Sequence, residues 1–222
     1  MRPGLIIFDC DGVLIDSEIV ACRIDAETLT EIGYQISVQE VVKRFAGVSS
    51  ADMRVTIESE WGRPLPPDYD SIVTGRLETA FRSELTEIRG IHQALGAIEV
   101  PVCVASNSGH SKLKAGLEIT GLYDRFSPNI FSAVDVPRGK PAPDLFLRAS
   151  EIMNVPADKC LVVEDSVSGI RAARSAGMVV LGFCGGQHCG KEHAHRLMEE
   201  GAMAVFSDMT RLPKLIAEAV SA

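Results

Sequence analysis

The chain has 222 residues, 46% of them hydrophobic and 23% charged, with a net charge of −8. That length suits one large core, or a core with a smaller insertion. The acidic balance argues against a nucleic-acid or anionic-membrane surface, and no run of eighteen apolar residues offers a membrane span.

In chain order, the N-terminal MRPGLIIFDCDG has too short an apolar run, too soon broken by acids, for a signal peptide. Its run from Leu5 to Phe8 is continuous rather than alternating, as in a buried strand. Residues 16–89 then carry no convincing strand. Amphipathic spacing predicts helices over Ile19 to Ile32, Val38 to Phe45, Ala51 to Trp61 and Tyr69 to Leu85, with PLPP at 64–67 as a rigid turn. From residue 90 onward strands and helices alternate. Strands are predicted at Val102 to Ala105, Leu161 to Val163 and Val179 to Phe183, with weaker patterns at Ile130 to Ala133 and Ala204 to Phe206. Helices are predicted at Ser111 to Thr120, Asp144 to Met153, Gly169 to Ala176 and His193 to Glu200, three of them stopped by a glycine. The fold class is therefore α/β: a doubly wound parallel sheet over residues 1–15 and 90–222, with an all-helical domain, 16–89, inserted after the first strand. Six cysteines, at 10, 22, 103, 160, 184 and 189, are scattered through mostly apolar segments, a pattern of reduced thiols that points to a cytoplasmic protein.

Four segments carry chemistry. In FDCDGVLID, Asp9 stands at the carboxyl end of the first strand, where open α/β sheets bind their ligands. Alternation lets Asp9 and Asp11 lean to one side and Cys10 to the other, and Gly12 permits a sharp turn. Two carboxylates on one face hold a hard divalent cation, or divide into nucleophile and acid/base. The plain alternative is an Asp-Gly turn. In VCVASNSG (102–109), Ser106, Asn107 and free backbone N–H groups form a phosphate cradle before a helix. RGKPAPD (138–144) sets Lys140 in a loop fixed by two prolines, and LVVEDSVSG (161–169) ends a strand in Glu164 and Asp165. Taken singly, a Lys-Pro loop is an ordinary turn and a Glu-Asp pair an ordinary helix cap.

Together, DCDGVLID, VASNSG, GKPAPD and VEDS resemble the four motifs of the haloacid dehalogenase-like (HAD) phosphohydrolases, in order and over nearly the whole chain. The helical insertion resembles the cap of that superfamily's phosphatase and phosphoglucomutase-like branch. The resemblance implies a HAD Rossmann-like core and a Mg²⁺-dependent phosphatase acting on a small phosphorylated metabolite, a sugar phosphate foremost. It implies that Asp9 is the nucleophile and forms an aspartyl-phosphate. Mg²⁺ would be held by Asp9, the backbone carbonyl of Asp11 and Asp165, with Glu164 in support. Asp11 would be general acid and then base, while Ser106, the backbone around Asn107, and Lys140 would hold the phosphoryl oxygens. Asp11 also sets the chain apart from true dehalogenases, which lack that second acid.

Mutases of the same branch carry a histidine shortly after the first motif and a basic residue in the cap's G-V-S-R stretch. Here Ala21 and Ser50 stand at those places, with Arg44 upstream as the remaining basic candidate, so the phosphatase reading is preferred. A non-catalytic binding or regulatory protein on the same scaffold is the rival from another class. The presence of Asp9, Lys140 and Asp165 speaks against it. A monomer is expected, opening at hinges near Ile15 to Ser17 and Glu84 to Gly90.

The stretch CGGQHCGKEHAH (184–195) fits a P-loop pattern, but Glu192 replaces the Mg²⁺-binding hydroxyl. Cys184, His188, Cys189 and His193 raise the question of zinc. Without a paired C-x-x-C, His188 and His193 read as surface residues of a glycine-rich loop opening a helix. No cysteine has an arginine six positions on, which excludes a thiol phosphatase; Cys10 has Asp16 there.

Overall fold

The computed structural model describes residues 3–218; residues 1–2 and 219–222, the ends of the expected core domain, lie outside that description. The chain divides into two units, Met1–Asp16 with Thr86–Ala222, and Ser17–Leu85. Residues 86–88 belong with the first unit because they pair with the segment after the first strand. The Asp16 amide donates to Thr86 O at 2.9 Å, and the Ile88 amide to Leu14 O at 2.9 Å.

The first unit is built on six parallel strands: β1 (Leu5–Phe8), β2 (Val102–Ser106), β3 (Ile130–Ser132), β4 (Cys160–Glu164), β5 (Val179–Phe183) and β6 (Ala204–Phe206). Their order is β3-β2-β1-β4-β5-β6. The winding reverses between β1 and β4, so a crevice opens at the carboxyl ends of those two central strands. The strand predicted to reach Ala133 stops at Ser132, whose Oγ accepts the Val134 amide at 3.3 Å and starts a short 3₁₀ turn.

The second unit holds four helices, α1 (Ser17–Glu31), α2 (Val38–Phe45), α3 (Ser50–Trp61) and α4 (Tyr69–Glu84). Leu29, Val41, Phe45, Ile57 and Tyr69 meet in its apolar core. Ser37 and Glu40 start α2 as a reciprocal capping box, at 3.0 and 3.2 Å.

Among the described residues, seven further helices belong to the sheet unit: α5 (Ile91–Gly96), α6 (His110–Ile119), α7 (Tyr123–Phe126), α8 (Asp144–Ile152), α9 (Val167–Ser175), α10 (His193–Glu199) and α11 (Leu212–Glu218). On one face, Leu5 and Ile7 pack with Phe146, Ile170 and Leu197 of α8, α9 and α10. Phe8 meets Phe126 of α7 edge-on, ring centroids 5.8 Å apart. Both faces are covered, which is why β1 reads as an unbroken apolar run. Gly177 takes φ +73° just past α9, a left-handed geometry that stops the helix where the sequence predicts. No helix among the described residues is long and apolar enough to cross a membrane. All six cysteines are unpaired.

Candidate active site

Asp9 follows β1 directly, and its amide continues the sheet ladder to Val163 O at 3.0 Å. Its carboxylate is buried and receives the Lys140 ammonium on Oδ1 at 2.6 Å. Lys140 also donates to Glu164 Oε1 at 2.7 Å and lies over the Phe146 ring, 4.9 Å from its centroid. Burial pushes the Asp9 carboxyl well above the usual range; Lys140 opposes this, while Glu164 and Asp165 add to it. Burial also works against charge on Lys140, yet Asp9 and Glu164 hold its pKa above the ordinary lysine value. Lys140 therefore stays an ammonium ion among acids.

The loop after β2 positions that lysine. The Asn107 side chain accepts the Lys140 amide at 2.9 Å and donates to the Lys140 carbonyl at 3.1 Å. Its amide group thus clamps the lysine's main chain on both sides. Ser106 is buried at the end of β2, and its Oγ accepts the Ser108 amide at 3.1 Å.

Glu164 is fully buried at the end of β4, and both of its oxygens have partners. Oε1 takes Lys140, and Oε2 accepts from the Ser166 amide and hydroxyl at 2.8 and 2.9 Å. A Cβ on Gly169 would fall 1.8 Å from the Glu164 carboxyl, so the first turn of α9 needs glycine there.

Asp11 is held by residues the sequence reading did not name. Ser108 Oγ donates to its Oδ2 at 2.6 Å, and Lys112 Nζ lies 3.1 Å from its Oδ1. Ser108 sits inside the SNSG motif and Lys112 opens α6, so helix phase after the motif was the available signal. Cys10, between the two acids, is fully buried. Burial first, then Asp11 and Asp9, push its thiol pKa well up, so it remains a protonated filler.

One expectation is corrected at Asp165. His188 and His193 are not surface residues; they are 4% and 9% exposed. His188 Nε2 lies 3.0 Å from Asp165 Oδ2, and His193 Nε2 lies 2.6 Å from the Asp165 carbonyl. The reason is tertiary: Gln187 ties the loop to Asp16 through its amide at 3.3 Å and its side chain at 3.0 Å. That tie folds the glycine-rich stretch back over the crevice. Burial disfavours charge on His188, but bonding to Asp165 and Cys189 outweighs it and raises its pKa to about 11. Burial, with His188 and Arg196 nearby, lowers that of His193.

One carboxylate oxygen from each of Asp9, Glu164 and Asp165 lies within 4.8 Å of the other two. These three buried acids, two of them bonded to the Lys140 ammonium, form an oxygen-rich cluster, which fits a hard divalent cation. The second grouping, His188, Cys189 and His193, offers nitrogen and sulfur instead. Asp9, Asp11, Ser106, Asn107, Lys140, Glu164 and Asp165 thus all come together at the carboxyl edge of the sheet, and Asp11, Glu164 and Asp165 have partners there that the sequence reading did not name.

The family model for a haloacid dehalogenase-like hydrolase matches residues 3–177. The chain is 32% identical over 215 residues to 6-phosphogluconate phosphatase of Escherichia coli, covering 96% of this chain and 95% of that protein. A haloacid dehalogenase-like protein of unknown function from Agrobacterium tumefaciens superposes with a TM-score of 0.92 at 42% identity, covering 98% and 99% of the two chains. A β-phosphoglucomutase candidate from Thermotoga maritima superposes at 0.77 with 25% identity, covering 98% and 99%.

Proposed function

The chain belongs to the haloacid dehalogenase-like hydrolases and is a phosphatase, and from that premise we propose that it hydrolyses a small sugar phosphate through a phosphorylated Asp9. The observation that carries the mechanism is Lys140 held between Asp9 and Glu164, with Asp165 beside them. Mg²⁺, when held by Asp9, Asp165 and the Asp11 backbone carbonyl, supplies the positive charge that lets a carboxylate approach an anionic phosphate.

The Asp9 carboxylate attacks phosphorus, and the P–O bond to the leaving alcohol breaks. Asp11 gives that oxygen its proton. Asp11 then takes a proton from water, which attacks the phosphoryl group, releases phosphate and restores Asp9. Ser108 and Lys112 fix the Asp11 carboxylate for both transfers. Lys140 and the backbone after Ser106 hold the phosphoryl oxygens. Glu164 serves chiefly by holding Lys140, since both its oxygens are engaged.

Hydrolysis is favoured over phosphoryl shift within a sugar because Ala21 and Ser50 replace the mutase side chains. Arg44, the remaining basic candidate, is paired with Glu60 at 2.5 Å.

The test is hydrolysis of a sugar-phosphate panel and of p-nitrophenyl phosphate with Mg²⁺, scoring free phosphate against isomerised sugar. Asp9→Asn is expected to lower kcat by at least about 1,000-fold; wild-type turnover in that variant overturns the mechanism. Asp11→Ala is expected to lower kcat by about 10²–10⁴-fold, with Mn²⁺ affinity nearly unchanged because Asp11 would hold the metal through its backbone carbonyl.

A further inference from the structure

Two histidines that phosphoryl transfer leaves without a part meet a single aspartate. His193 Nε2 lies 2.6 Å from the Asp165 carbonyl, an acceptor only, so that nitrogen carries a hydrogen. Its other nitrogen faces the Arg196 guanidinium at 3.3 Å. His193 therefore has no nitrogen left to ligate a metal, which removes one member of the His188, Cys189 and His193 grouping.

His188 is built differently. Its Nε2 lies 3.0 Å from Asp165 Oδ2 and 3.3 Å from Cys189 Sγ. Among the described residues its Nδ1 is the one buried side-chain nitrogen or oxygen without a hydrogen-bond partner. The ring is 4% exposed, and Nε2 is the nitrogen through which its side-chain contacts run. Two glycines make its slot. A Cβ on Gly12 would stand 1.9 Å from Asp165 Oδ2 and 2.9 Å from His188 Cε1. One on Gly186 would stand 2.7 Å from His188 Cε1 and Nδ1. The Gln187 side chain and amide, both bonded to Asp16, fasten the loop from the other direction.

We propose that His188 is a positioning residue of the cation site: its Nε2–H holds Oδ2 of Asp165 and fixes the rotation of that carboxylate beside Asp9 and Glu164. The assignment rests on reading Asp165 as a cation ligand of the phosphatase site. The logic is that of an outer partner which orients a ligating group without touching the metal. The loop after β5 thereby becomes part of the cation machinery, although it lies beyond all four motifs.

The test is direct Mn²⁺ binding to the metal-free full chain, read by electron paramagnetic resonance, with circular dichroism melting as the fold control. His188→Ala is expected to raise the Mn²⁺ dissociation constant by about 10–100-fold. His188→Gln, which restores an N–H at about the same reach, is expected to recover most of the affinity. Gly186→Ala, which pushes on the ring, is expected to weaken binding in the same direction, and it replaces His188→Ala should that variant fail to fold. Cys189→Ala is expected to bind like wild type, and Asp165→Asn to lose binding. A folded His188→Ala chain whose affinity stays within about twofold of wild type, while Asp165→Asn loses it, overturns the role of His188 alone. Asp165→Asn binding as wild type overturns the underlying site reading. One zinc per purified chain, released by both His188→Ala and Cys189→Ala, shows the ring to be a ligand and overturns the proposal.

Discussion

Ion pairs in the two units do opposite jobs. In the helical unit, four arginines reach between helices: Arg23 to Glu84, Arg44 to Glu60, Arg54 to Asp70 and Arg76 to Glu31. All sit at the water-accessible rim, where high dielectric and salt screening leave each pair little net energy. In the sheet unit, Lys140 is bonded to both Asp9 and Glu164, all three buried. There the loss of one member strands the others, so the buried charge becomes a condition of folding.

The sharpest test of this contrast is Lys140→Met, which keeps the bulk and removes the ammonium ion. It is expected to abolish turnover and to lower stability by about 3–5 kcal/mol at neutral pH in urea unfolding. The deficit should shrink in acid, as the stranded carboxylates become protonated. A fully stable Lys140→Met chain at pH 7 would break the comparison.

A smaller effect is expected in the helical unit from Asp25, which burial raises from 3.8 to about 6 despite its bond to Tyr69. Between those values the folded chain holds a proton that the unfolded chain has lost. Stability contributed by this group therefore falls as pH climbs from 4 to 6 and is level above. Asp25→Asn should flatten that slope and add up to about 3 kcal/mol at pH 7. Smallest of all, Arg44→Ala should leave the unfolding midpoint within about 2 °C of wild type, and closer still in high salt.

Much of this was legible from the chain alone. β1, β2, β4 and β5 are covered on both faces, so their unbroken apolar runs identify them directly, and the motif residues stand at strand ends where the topology gathers them. Short helices such as α5 and α7 were missed, because four to six residues carry too little periodicity to register. The burial of His188 was missed for a different reason. A glycine-rich, histidine-bearing loop looks solvated locally, and tertiary ties from Gln187 to Asp16 and from His188 to Asp165 turn it inward. Glu164 shows the same limit: a Glu-Asp pair was visible, but not that Lys140 and Ser166 occupy both oxygens of the first acid.

The Asn107 clamp on the Lys140 peptide also bears on how this site can be rebuilt. The lysine comes from the segment after β3, but its backbone is fastened by a side chain from the segment after β2. A chimera that imports a foreign lysine loop without the matching amide brings the right charge on an unanchored hinge. The two loops form one structural module, and moving this buried lysine into another scaffold calls for grafting them as a pair.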